Sequence, residues 1–304
     1  MNKDMSQSRR FATLGAALSA AFSMSAPAHA EAIVGLTSTN ALVVFDNSSP
    51  MFSTTPVAIT GLMGVNERIL GIDLRPATGA VYGLGSGGNL YTLNATTGVA
   101  SFVAALTAGS GGFAGLVGSS FGVDFNPVVD RLRVTSNAGQ NLRINPITGA
   151  VIVDSALNGD TASLSASAYT SNTPGATATT LYGINGATDT LYIQNPPNTG
   201  ILTAVGSLGV DTSNVAGFDI SGLTGIGYAA LTDGDTSKSS IYTINLASGA
   251  ATLVGAFASG GVTASAAPLV DLTVAAVPEP ETWALMTAGL LSISWMAKRR
   301  RVVG

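Results

Sequence analysis

Cysteine is absent from the 304-residue chain, and histidine occurs once, as His29. Disulfides, thiolate nucleophiles and cysteine-ligated zinc are therefore excluded. Charge is scarce as well. Asp, Glu, Lys and Arg make up 10% of residues, against about 25% in ordinary soluble domains. So sparse a pattern argues against coiled coil and against a disordered charged tail. A net charge of −4 provides no cationic footprint, so nucleic acid is not an expected partner. Both tryptophans, Trp283 and Trp295, lie close to the C-terminus. What the chain has in quantity is glycine, 37 residues set among Ala, Ser and Thr. That composition suits short strands joined by tight turns.

The two ends read as addresses. Residues 1–30 combine a basic start closing on Arg9-Arg10, an apolar stretch from Phe11 to Met24, and Ala28-His29-Ala30. These are the three parts of a secretory signal peptide. Cleavage after Ala30 by signal peptidase, with Ala28 and Ala30 as the small residues, makes Glu31 the new N-terminus. Ser8-Arg9-Arg10-Phe11 approaches a twin-arginine pattern with its phenylalanine displaced by one position, so the general secretory route is expected. At the other end, Pro278-Glu279-Pro280 precedes an uncharged run over 282–297 and then Lys298-Arg299-Arg300-Arg301. As a helix this run is about 24 Å long, short of the roughly 30 Å hydrocarbon core. Its flanking tryptophans suit the membrane interfaces and its basic end the cytoplasmic side.

This tail (278–304) resembles the PEP-CTERM sorting signal. The resemblance implies an exosortase-type transpeptidase as partner and a transient inner-membrane anchor. Release to the cell surface or medium would follow, in a host that makes extracellular polysaccharide, itself an implied partner. The remaining body, residues 31–277, carries a net charge of −8 and contains no His, Cys or Trp.

Within the body, a strand ending in Asn leads repeatedly to a turn closing on Gly. Leu90-Tyr91-Thr92-Leu93-Asn94 reaches Gly98, and Leu142-Arg143-Ile144-Asn145 reaches Gly149. Leu191-Tyr192-Ile193-Gln194-Asn195 reaches Gly200, and Ile241-Tyr242-Thr243-Ile244-Asn245 reaches Gly249. The glycines are spaced 51, 51 and 49 residues apart. Asn caps such a turn through its side chain, and Gly takes the left-handed position. A strand precedes each by about ten residues (Val81–Leu84, Leu132–Thr135, Leu181–Ile184, Gly227–Ala230), and an apolar strand such as Val99–Leu106 follows. Before these, three units carry a Gly-x-Asp strand with Asp73, Asp124 or Asp219; the third unit has Ala166–Tyr169 there instead. Four strands per period of about fifty residues predict a propeller blade.

The ends supply one more blade. Ile33–Leu36, Ala41–Asp46 and Val57–Leu62 match its second to fourth strands, and Leu269–Val274, with Asp271 on period, its inner strand. The expected fold is an all-β, five-bladed propeller of four-stranded antiparallel blades, closed by pairing of the two termini. An open sandwich or solenoid of hairpins is the competing arrangement. The body also resembles a bacterial family known as domain of unknown function 4394, notably at Asp130-Arg131-Leu132-Arg133, Asn141–Asn145 and Gln194–Gly200. That resemblance implies the fold and no catalytic residues.

Without His or Cys, the remaining chemistry is that of carboxylates and oxygen-ligated cations. Asp73, Asp124, Asp219 and Asp271 could converge near the axis and hold Ca²⁺; alternatively each accepts backbone N–H bonds from a neighbouring strand. Thr232–Ser237 begins like a calcium loop but lacks its later ligands, which points to a solvated turn. The second unit has Arg133 and Arg143 where other units have tyrosines, with Arg131 on the same strand face. Arginine forks bind carboxylates, so these residues are candidates for an acidic polysaccharide. Pairing with Asp124, Asp130 or Asp154 is the structural alternative. In the third-unit turn, Gln194 and Asn198 offer amides to a ligand. No cofactor beyond Ca²⁺ is expected. The leading functional expectation is a non-catalytic surface or matrix binder, and the alternative a Ca²⁺-dependent propeller hydrolase or lyase.

Overall fold

A computed structural model describes residues 31–258 and 266–275. They form five small sheets arranged as a five-bladed β-propeller. The first unit comprises Ile69–Arg75, Ala80–Gly85, Asn89–Leu93 and Ala100–Ala105. The second comprises Phe121–Asn126, Arg131–Ser136, Asn141–Ile144 and Ala150–Val153. The third runs through Ala166–Tyr169, Leu181–Asn185, Thr190–Gln194 and Ile201–Ser207, and the fourth through Ala216–Ile220, Gly227–Thr232, Ser239–Ile244 and Ala251–Ala256. The terminal blade joins Leu269–Ala275 to Ala32–Thr37, Ala41–Asp46 and Val57–Ala58.

In that blade Leu269–Ala275 pairs antiparallel with Ala32–Thr37, setting Val274 opposite Ile33 and Leu272 opposite Gly35. The inner strands pack one against the next around the axis. Burial falls from axis to rim: every residue of Ala216–Ile220 is buried, whereas Ala251–Ala256 is half-buried or exposed. Innermost strands are covered on both faces, which is why apolar residues flank each aspartate in Ile69–Arg75, Phe121–Asn126 and Leu269–Ala275, with Gly71, Gly122 and Gly217 where the neighbouring inner strand comes closest.

Two details differ from the expected four-stranded pattern. Thr107–Ser110 and Asn158–Gly159 add a fifth, parallel strand to the second and third sheets. Each is the connector leaving one blade, laid along the outer strand of the next, where it pairs an otherwise free edge. The fourth strand of the terminal blade is only Val57–Ala58, with Thr60 making an isolated parallel bridge to Val99.

The close approach of neighbouring blades explains the repeated glycines. Gly98, Gly149, Gly200 and Gly249 have φ of 70–83°. A Cβ on any of them would lie 2.1–2.3 Å from a backbone carbonyl oxygen of the preceding blade's outer strand (Ala58 O at Gly98, Ala105 O at Gly149, Gly206 O at Gly249) or of the segment just after it (Ala156 O at Gly200). The left-handed turn and the inter-blade approach both require glycine. The Asn cap operates in three units: Asn94, Asn145 and Asn245 each accept two backbone N–H bonds. In the third, Pro197–Thr199 forms a 3-10 turn instead.

Four large buried apolar clusters fill the junctions between blades, each with ten or eleven buried side chains. Between the second and third units the cluster has only four, Leu157, Leu164, Tyr192 and Leu202. Polar groups occupy the rest of that junction.

Candidate functional site

The polar junction is where both irregularities of the repeat meet. Arg133 stands in register opposite Asp124, as Tyr82 stands opposite Asp73 and Tyr228 opposite Asp219. Its side chain is 2% exposed. It donates to Asp154 Oδ2 at 2.7 Å, Asn141 Oδ1 at 2.7 Å, Asn198 Oδ1 at 2.8 Å and Tyr169 Oη at 3.3 Å. Asn198 belongs to the third-unit turn, so the arginine bridges two blades. Gln194 is buried beside it, its Nε2 donating to Pro197 O at 2.6 Å and Asn141 Oδ1 at 3.2 Å. Its Oε1 has no partner.

Arg143 forms a two-pronged pair with Asp154, Nε and a terminal nitrogen lying 2.7 and 2.8 Å from its two oxygens. This pairing raises the Arg143 pKa further. Its register corrects the expected equivalence. Arg143 pairs across from Arg133, the position held by Thr92, Ile193 and Thr243, while Leu142 takes the place of Tyr91, Tyr192 and Tyr242. Counted back from the capping asparagine, Arg143 stands two residues before Asn145, as Thr92 stands two before Asn94, whereas Tyr91 stands three before Asn94, and a one-residue offset moves a side chain to the opposite face. Arg143 and Arg133 therefore share a face.

Arg131 lies on that face too, donating to the main-chain carbonyls of Asp130 and Val129. With Arg133, Arg143, Asn126, Tyr169 and Asn198 it lines a pocket of about 190 Å³. Among the described residues Asp154 is the carboxylate paired with these arginines, leaving an excess of positive charge. Asp130 turns away to Arg75 of the first unit, whose guanidinium holds its carboxyl below the usual range. Asp124 takes part in neither pair.

The inner aspartates form a second cluster, at the axis. All four are at most 2% exposed. Each reaches a backbone N–H on the next inner strand: Asp73 to Phe125 at 2.7 Å, Asp124 to Tyr169 at 3.0 Å, Asp219 to Val274 at 2.7 Å and Asp271 to Ile72 at 2.8 Å. Asp73, Asp124 and Asp219 bring one carboxylate oxygen each within 4.8 Å of one another, a set that Asp271 does not join. Thr273, which the repeat did not single out, lies between Asp73 Oδ1 at 2.9 Å and Asp219 Oδ2 at 3.0 Å. The glycine of Gly-x-Asp makes the approach possible: a Cβ on Gly217 would sit 2.5 Å from Asp271 Cα. By contrast, Asp233 in Thr232–Ser237 caps an exposed turn through the backbone N–H groups of Asp235 and Thr236.

Burial pushes the pKa of Asp219 up to about 6. Burial and the neighbouring aspartates push Asp73, Asp124 and Asp271 well above the usual range. Protons thus bind the folded state more tightly, and their stabilisation is complete below about pH 4, where the unfolded chain is also protonated. It is lost as pH rises through the folded values, from about 6 upward. In chelator, the chain should therefore melt at a lower temperature at pH 8 than at pH 5. Equal melting temperatures at those two pH values would refute the assignment.

No curated protein matches the chain. Among solved structures, a protein of unknown function from Bacteroides thetaiotaomicron is 13% identical with a TM-score of 0.44; the match covers 75% of this chain and 58% of that one. A chain of the nidogen/laminin complex is 13% identical with a TM-score of 0.48, over 81% and 98% of the two chains. Apo AztD from Citrobacter koseri is 8% identical with a TM-score of 0.39, over 81% and 98%. Residues 276–301 match the PEP-CTERM protein-sorting motif, which marks an exported protein processed by an exosortase. Residues 41–267 match the model of a domain of unknown function, DUF4394. That match takes in the arginine junction and three of the four inner aspartates, and by it the chain belongs to the DUF4394 family.

Proposed function

We propose that the protein is a non-catalytic binding propeller of the cell surface or extracellular matrix, and that it takes a carboxylate-bearing ligand, such as a uronic-acid residue of an extracellular polysaccharide, at the junction of its second and third units. One observation carries this reading. Three arginines face one pocket against a single paired carboxylate, in a body of net charge −8. Arg131 uses its guanidinium only on carbonyl oxygens, so it is free to take a carboxylate in a two-pronged bond. A volume of about 190 Å³ is below the roughly 300–1,000 Å³ of typical small-molecule sites. It suits one acidic sugar residue rather than a long stretch.

The reading includes a maturation path: signal peptidase cleavage between Ala30 and Glu31, then exosortase processing near Pro278-Glu279-Pro280. Glu31 is built into the body, its carboxylate accepting bonds from Ser221 and Thr224 of the fourth unit, which supports a body that starts there. The cleavage residues Ala28 and Ala30, the sorting triplet and the membrane span expected over 282–297 lie outside the described residues. Among the described residues no helix is long and apolar enough to cross a membrane. A hydrolase or lyase working through the axial aspartates is not favoured, because at no more than 2% exposure they are closed to a saccharide.

Arg131→Gln/Arg143→Gln tests the pocket. Asp154 keeps Arg133, Arg143 is 29% exposed and Arg131 bonds only carbonyl oxygens, so the loss should stay at about 1 kcal/mol, a fall of about 2–4 °C in melting temperature. Affinity for polyuronate should fall at least tenfold, and wild-type binding should weaken with salt. Undiminished binding by the variant, or no acidic glycan bound by the wild type on an array, would overturn the reading.

A further inference from the structure

The axis poses a problem of charge that the protein part does not solve. Asp73, Asp124 and Asp219 bury three carboxylates side by side, and among the described residues none is in a salt bridge. Isolated charges in such a place are strongly disfavoured, so something must neutralise them. Protons can do this only in part. A proton placed on an oxygen that already accepts an N–H bond weakens that bond, because a neutral carboxyl is a poorer acceptor than a carboxylate. Asp73 Oδ1 accepts from the Leu74 N–H and Oδ2 from the Phe125 N–H. Asp219 Oδ1 accepts from the Ile220 N–H and Oδ2 from the Val274 N–H. Asp124 Oδ1 accepts from the Tyr169 N–H. Thr273 brings one more hydroxyl proton, for which Asp73 and Asp219 compete, while its oxygen accepts from the Leu74 N–H. Five of the six carboxylate oxygens are thus held as acceptors. The sixth, Asp124 Oδ2, is fully buried and has no partner at all. One proton could sit there at no such cost, whereas a second and a third would weaken bonds that join the blades, and above the raised pKa values negative charge would remain.

We propose that the axis is a cation site in which Asp73, Asp124 and Asp219 hold a calcium ion, with the unpartnered Asp124 Oδ2 as a ligand. The separation fits. Ligands at about 2.3–2.6 Å from Ca²⁺ stand no more than about 5 Å apart, and the three carboxylates offer oxygens within 4.8 Å of one another. Each oxygen keeps a second lone pair beside its N–H bond, so coordination need not displace the bonds that join the blades. The donor set is all oxygen, which selects a hard cation over transition metals. Oxygens fixed by the backbone of three blades suit the flexible geometry of Ca²⁺ better than the near-ideal octahedron that Mg²⁺ demands. The ion would clamp the first, second and fourth units at the centre of the ring, a role separate from ligand binding at the arginine pocket.

Calorimetry with CaCl₂ on the full chain, freed of metal by EDTA and dialysed at pH 7.5, tests this directly. One ion per chain should bind, and at a hundredfold excess over Kd the melting temperature should rise by about 5–10 °C. Asp124→Asn keeps an oxygen for the Tyr169 N–H but loses the charged ligand. It should fold and weaken Ca²⁺ binding at least tenfold, as should Asp219→Asn. Asp233→Asn, in the exposed turn, should bind as the wild type does. Absence of binding heat and of any thermal shift in the wild type at 10 mM Ca²⁺ (about tenfold above the Kd of the weakest extracellular calcium modules, ~1 mM) would overturn the proposal, whatever the variants do. So would a calcium response unchanged in both axial variants, and equal stabilisation by Mg²⁺ would overturn the assignment to calcium.

Discussion

Arg133→Gln should destabilise the protein by about 3 kcal/mol, the lower part of the range for breaking a buried ion pair. For a body of this size that lowers the melting temperature by about 6–12 °C. The side chain is 2% exposed and serves four acceptors in two blades, Asp154, Asn141, Asn198 and Tyr169. A glutamine reaches fewer of them, and each buried polar atom left without a partner costs about 1–3 kcal/mol. The expected value stays at the low end because Asp154 keeps its two-pronged bond to Arg143. Arg143→Gln should cost only about 1 kcal/mol, since its side chain is 29% exposed and Asp154 retains Arg133. Restoring the repeat requires Arg133→Tyr with Arg143→Thr, the residues of the first and fourth units, together with Asp154→Asn to avoid a stranded charge. That triple variant should recover part of the loss. Chemical denaturation of the four proteins decides the matter, and an Arg133→Gln midpoint equal to wild type would show that the guanidinium is not a buried structural partner.

Deleting the segment from Leu269 onward should abolish cooperative folding, whereas ending the chain after Val277 should leave the melting temperature within about 2 °C. The strand Leu269–Ala275 buries Leu269, Leu272 and Val274, each worth about 1.5–3 kcal/mol. It also carries Asp271 and Thr273, which bond to the first and fourth units. Its loss would bare the backbone of Ala32–Thr37 as an open edge, an invitation to aggregate. Together these terms rival the whole stability of a domain, about 5–15 kcal/mol. Scanning calorimetry of the two truncations would settle the point: equal stability would mean that the pairing of the chain ends is dispensable.

The blades were legible because their signals are local. An Asn-capped turn closing on Gly at a period near fifty residues needs no tertiary contact to be recognised, and neither does the alternation of the strands beside it. The arginine junction was half legible. Arg131, Arg133 and Arg143 stood out as departures from the repeat, and so did Gln194 and Asn198. That these belong together was not, because 65 residues separate Arg133 from Asn198 and only the packing of adjacent blades sets them 2.8 Å apart. The face of Arg143 is set by counting back from Asn145 and not forward from Leu142, and a period of two turns that one-residue difference into opposite sides of a sheet.

Sequence alone determined the strand repeat, the chemistry that a body without His or Cys must do without, and the tail by which it is sorted, since all three are written in composition and spacing. Tertiary structure alone decided which side chains meet. Inner aspartates spaced by whole blades, Asp73, Asp124 and Asp219, become neighbours only when the ring forms. Thr273 becomes their bridge only because Leu269–Ala275 comes to lie at the axis beside Ile69–Arg75 and Ala216–Ile220. The connectors Thr107–Ser110 and Asn158–Gly159 become strands only because the edge of the next blade lies open beside them. In each case the deciding interaction is between residues far apart in the chain, and its geometry follows from blade packing rather than from any local preference.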